Sequence, residues 1–70
     1  MKLINTTVSY FKDNSNELHT GKLLSFNRDF TANIEEMDCG LFSIVDAYNI
    51  EAPFADVVAS FKADKPYSRD

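Results

Sequence analysis

Gly21-Lys22-Leu23-Leu24-Ser25-Phe26-Asn27-Arg28-Asp29-Phe30-Thr31-Ala32-Asn33-Ile34 is the stretch whose reading decides the fold of this 70-residue chain. Its polar middle, Asn27-Arg28-Asp29, is a turn between two runs of strand character. Phe30, Ala32 and Ile34 lie two apart, the period at which strand side chains share a face. A helix over 30–37 is the competing reading of that second run. The first run reaches back to Glu17 and is longer than an ordinary strand. Gly21 sits in its interior, where a glycine commonly marks the sharp bend of a small barrel.

Upstream, Thr7 to Lys12 is β-branched and aromatic with partial alternation, and the turn formers Asp13-Asn14-Ser15-Asn16 close a hairpin. Downstream, Asp38-Cys39-Gly40 breaks the chain before Leu41 to Val45, an apolar run short enough to be a buried strand. Asp46-Ala47-Tyr48 is a tight connection, and Asn49 to Ala52 is the last strand candidate. Beyond Pro53, Phe54, Val57, Val58 and Phe61 fall at i, i+3, i+4 and i+7, one face of a helix. Proline costs nothing at a helix start, and Lys62 and Lys65 suit the negative end of the dipole. Pro66 stops the helix, and Tyr67 to Asp70 is a loose tail. The sequence therefore predicts one mainly β domain: a strongly bent five-stranded barrel over residues 4–52, with a C-terminal helix over 54–64.

Apolar residues make up 44% of the chain, yet a domain this short buries only about 60% of its unfolded surface, so one core is marginal. Disulfide, metal and association are the usual supplements. Cys39 is the only cysteine and His19 the only histidine, which excludes an intrachain disulfide and a four-ligand zinc site. Association between subunits remains, and no cofactor is implied. With neither the apolar run of a signal peptide nor that of a membrane span, the chain reads as soluble and cytoplasmic. A net charge of −4 opposes non-specific binding to nucleic acid and to anionic membranes alike.

The quoted stretch resembles the first motif of Sm-like proteins: glycine, any residue, leucine, two residues, phenylalanine-aspartate, two residues, methionine-asparagine-leucine, any residue, leucine. Gly21, Leu23, Phe26 and Ile34 fit it; Asn27 and Phe30 are near replacements; Thr31 and Ala32 depart. Val45-Asp46-Ala47-Tyr48-Asn49-Ile50 is similar to the family's second motif, isoleucine-arginine-glycine, any residue, asparagine-isoleucine, with arginine and glycine replaced. With the upstream hairpin, the two motifs cover Thr7 to Ala52.

That resemblance implies an SH3-like barrel that assembles as a homo-oligomeric ring of about five to seven subunits, pairing the Leu41 to Val45 strand of one copy with Asn49 to Ala52 of the next. It also implies a pore site for uracil-type bases at Asn27, Asp29, Thr31, Asp46 and Asn49, with Lys22 and Arg28 as alternative basic contacts. The chemistry at that site is altered. Asp29 cannot stack, Thr31 cannot make two-sided amide pairing, and Asp46 repels the phosphate that arginine would attract. These positions read as solvated turn residues, or as acids for a cation or a basic partner.

Glu35, Glu36 and Asp38 alternate across a strand and read as a solvated strand end rather than a metal cluster. His19 lacks the neighbours of a catalytic triad and reads as a partly exposed strand residue; Cys39 reads as a small packing residue. No catalytic or metal residues are assigned. Tyr10, Phe11, Phe26, Phe30 and Phe42 read mostly as core, because stacking platforms for single-stranded RNA sit in positively charged grooves. Two functions follow: an Sm-like ring subunit with a binding or scaffolding role, RNA among its ligands, or a small acidic inhibitor or adaptor that docks on a basic surface of another protein.

Overall fold

The computed structural model describes residues 2–12 and 16–66. Strands β1 (Thr7–Phe11), β2 (Leu18–Phe26), β3 (Thr31–Glu36) and β4 (Phe42–Asp46) form one antiparallel sheet in sequence order. Residues 13–15 of the expected hairpin turn and the expected tail at 67–70 lie outside the described residues. Val8 faces Gly21 across β1 and β2, Leu23 faces Ile34 across β2 and β3, and Ala32 faces Val45 across β3 and β4. Alternation therefore stacks one row of buried side chains on the inner face. The helical alternative for 30–37 fails because that period-two row finds partners on both sides.

Gly21 is required for close approach rather than for an unusual dihedral. A Cβ there would lie 2.6 Å from Ile34 Cγ2 and 2.7 Å from the Glu35 carbonyl oxygen. The irregularity in the ladder sits further along, between Leu23 and Ser25, where Leu24 is the extra residue of a bulge. The irregularity thus falls at Leu24 rather than at Gly21, where the bend was expected, and a bulge sharpens local twist.

The fifth strand expected over Asn49 to Ala52 is reduced to a single bridge. A 3₁₀ turn, Ala47–Asn49, follows β4; the Asp46 carboxylate accepts from Tyr48 N–H, and Ile50 N–H donates to the Ala47 carbonyl. Ile50 then bridges Tyr10, and Glu51 N–H donates to the Ser9 carbonyl at 2.8 Å. The chain returns to β1, but the sheet has four strands.

Helix α1 (Phe54–Asp64) has Asp56 in its first turn and Lys62 in its last, both favourable to the dipole. It ends on Lys65 in the left-handed region, whose N–H donates to the Phe61 carbonyl. Asp64 opposes the dipole, but its carboxylate accepts from Phe26 N–H at 2.9 Å and ties the helix to the end of β2. Fully buried Ser60 accepts from Leu3 N–H at 2.8 Å. Val57 joins the core with Leu3, Val8, Tyr10, Leu23 and Phe26, and Phe61 packs against it.

Some expected core residues lie outside. Phe42 is 71% exposed and Phe54 53%. Phe42 sits on the outer face of β4, out of phase with Val45, and Phe54 opens the helix with one side of its ring to solvent. Cys39 is exposed and packs against no core.

Candidate functional site

The Asn27–Phe30 turn and the end of β4 meet at one corner of the molecule. Asn27 N–H donates to the Thr31 carbonyl and Phe30 N–H to the Asn27 carbonyl, a tight turn closed by a residue in the left-handed region. That residue is Phe30, at φ 63°, where glycine or asparagine is the usual occupant. Packing holds it there. The Phe30 ring lies 5.0 Å from Phe61 and 5.1 Å from Tyr48, both edge-on, with Phe54 at 6.2 Å and Phe26 at 6.4 Å. Ala47 N–H donates to the Phe30 carbonyl at 3.0 Å, which fixes the 3₁₀ turn against this one.

Around the turn runs a network of neutral groups. Asn27 Nδ2 donates to Thr31 Oγ1 and Asn33 Oδ1, and Asn33 Nδ2 donates to Ser25 Oγ and Asn27 Oδ1. Asp29 accepts from both the N–H and the hydroxyl of Thr31. Thr31 faces Asp46 across the β3–β4 ladder.

Four of the five pore positions, Asn27, Asp29, Thr31 and Asp46, therefore share this corner. Asn49 does not; it lines an open groove of about 520 Å³ with Phe11 and residues 48–53. Lys22 projects from the middle of β2 opposite Thr7 and Glu35. Arg28 Nε donates to the Pro66 carbonyl at 3.3 Å, so its side chain braces the end of α1.

Sequence reasoning missed two features here. Tyr48, 69% exposed, stacks on Phe54 with ring centroids 5.4 Å apart and planes 10° apart. The only signal for this pair was an aromatic residue in a tight connection facing another just after Pro53.

Glu36 is the second, and it corrects the reading of a solvated strand end. Glu36 is buried, pairs with Lys12 Nζ at 2.6 Å and accepts from Ser43 Oγ. The hydrogen bond from Lys12, then that from Ser43, holds its carboxyl below the usual carboxylate range, and the same Lys12 bond raises the ammonium. Tyr10, stacked on the partly buried His19, has a buried hydroxyl. Burial, then the charge of Glu36, pushes that hydroxyl up to about 12. Lys12 follows β1 and Ser43 lies on β4, so local alternation carried no trace of the pairing.

Among the described residues no group of three or more His, Cys, Asp or Glu side chains is placed to hold a metal, and no helix is long and apolar enough to cross a membrane. No family model, curated protein or solved structure matches the chain.

Proposed function

We propose that this chain is a divergent Sm-like subunit that closes its sheet into a barrel through residues 49–52 and assembles into a homo-oligomeric ring with a binding or scaffolding role. The observation that supports this reading is the asymmetry of the sheet's two edges. The β1 edge is partly covered by the Ile50 bridge and the Glu51 bond to Ser9. The β4 edge carries Phe42 and Ile44, with Leu41 just before it, all at 65–71% exposure, and pairs with no further strand among the described residues. An edge of this kind is a template for pairing with another chain. Pairing it with Asn49 to Ala52 of the next copy is a heterologous contact, the kind that closes into rings.

The pore positions disfavour RNA in this reading. Asp29 and Asp46 are exposed carboxylates, and each subunit adds a net −4, so oligo-uridine meets repulsion in place of counterion release. The expected result is little oligo-uridine binding at physiological salt. The Asp29→His, Thr31→Asn, Asp46→Arg variant is expected to gain salt-sensitive binding.

Native mass spectrometry tests the assembly. The expected mass is that of about five to seven subunits, with Ile44→Asp releasing monomers that stay folded. A monomer at micromolar concentration in the unaltered chain removes this reading.

A further inference from the structure

We propose that the exposed Tyr48–Phe54 pair, backed by Phe30, is a docking platform for an arginine-bearing extended segment of another protein. The proposal does not depend on ring assembly.

Three observations carry it. The two rings are open to solvent and nearly parallel, while Phe30 stands edge-on to both. They are therefore braced in one geometry before any partner arrives, which lowers the entropy lost on binding. Phe30 keeps a left-handed backbone that disfavours a bulky residue. Backbone strain of this sort persists where the surroundings over-determine it, and it clusters at binding sites.

Charge selects the occupant. Between Arg28 and Lys62 the chain carries seven carboxylates and no lysine, arginine or histidine. Asp46 bonds the Tyr48 amide, Glu51 shares the groove wall with Tyr48, and Asp56 follows Phe54 by two residues in the first turn of α1. The aromatic faces thus lie among carboxylates, and Arg28, in the adjoining turn, is engaged by the Pro66 carbonyl. An aromatic face attracts a cation, and guanidinium does more than ammonium because it stacks flat while its edge forks to a carboxylate. A nucleic acid strand, which also stacks on aromatics, is repelled by the same carboxylates.

The test uses the full chain and a fluorescein-labelled Gly-Arg-Gly-Arg-Gly peptide, with a counterpart in which both arginines are citrulline, a neutral isostere. Binding is read by fluorescence anisotropy and located by ¹H–¹⁵N amide shifts. The expected result is binding of the arginine peptide with shifts concentrated over residues 46–54. Citrulline replacement and Tyr48→Ala are each expected to weaken it about tenfold, and Tyr48→Phe to leave it unchanged. Tyr48 is mostly exposed, so an unaltered melting temperature shows that Tyr48→Ala retains the fold. Three results overturn the proposal: no binding up to roughly millimolar peptide, equal affinity for the citrulline peptide, or shifts centred on Glu35, Glu36 and Asp38, which mark undirected charge attraction.

Discussion

The turns at Asn27–Thr31 and at Glu36–Leu41 solve one geometric problem with opposite residues. Each reverses the chain between strands, and each ends on a left-handed residue, Phe30 at φ 63° and Gly40 at φ 69°. Gly40 has nothing within 4 Å of where a Cβ would be, whereas Phe30 carries a ring that meets four others. The first residues differ too. Asn27 sits in a network of neutral groups, and Glu36 in an ion pair with Lys12. One turn reverses the chain at minimal backbone cost; the other accepts strain in order to hold an aromatic corner together. A strained residue in a short turn therefore locates what the fold is organised around.

Phe30→Gly gives the largest expected effect. It relieves the backbone but removes the hub of the aromatic corner, and should lower stability by about 2 kcal/mol on balance. Phe30→Ala should cost about 1 kcal/mol more, because alanine keeps the left-handed penalty without the ring. Equal denaturation midpoints for the two variants would show that Phe30 is not strained.

Gly40→Ala isolates the backbone term in the other turn, where space is open, and should destabilise by about 1 kcal/mol. Gly40→Asn should cost less, since asparagine visits this region readily. A loss above that of Phe30→Gly, by urea titration, would reverse the ranking of the two turns.

Lys65, at φ 51°, is a left-handed residue at the C-terminal cap of α1. Lys65→Gly should therefore stabilise by about 0.5 kcal/mol, as glycine suits a helix end of this kind. A drop in melting temperature would mean that the lysine side chain matters more to the cap than its backbone.

The smallest effect concerns pH and belongs to the Glu36 turn. The carboxyl is held below its ordinary range in the folded state, so its contribution is complete above the unfolded value of 4.5 and is lost as pH falls through the folded one. Tyr10 works at the other limit. Its raised hydroxyl supports folding below the ordinary value of 10.0, and that support is lost as pH rises towards 12. Melting curves for Glu36→Gln should show a flatter acid limb than those of the unaltered chain. Identical acid limbs would place the acid sensitivity elsewhere.

Much of the fold was legible in the sequence because it is written in local period. The two-residue spacing of Ala32 and Ile34 marked β3, although Phe30, read with them as strand, closes the preceding turn instead, and the i, i+3, i+4, i+7 stripe after Pro53 marked α1. The polar corner was legible in part, since Asn27, Asp29 and Thr31 are sequence neighbours and Asp46 reached them through a motif. Asn49 failed because the 3₁₀ turn rotates it into the groove. Glu36 failed because its partners lie outside its own strand, and Phe42 because apolar identity does not say which face of a strand is covered.

The sequence by itself determined where the chain alternates, turns and coils, because those preferences come from sterics and hydrophobic period within a few residues. It also determined the long acidic middle and the single cysteine that rules out an intrachain disulfide. Only the tertiary structure decided that Gly21 must be glycine, because Ile34 and the Glu35 carbonyl approach it from another strand. Only the tertiary structure brought Phe26, Phe30, Tyr48, Phe54 and Phe61 together across β2, α1 and two turns. Contacts between residues far apart in the chain depend on how the strands register and where the helix lies, and no local preference encodes either.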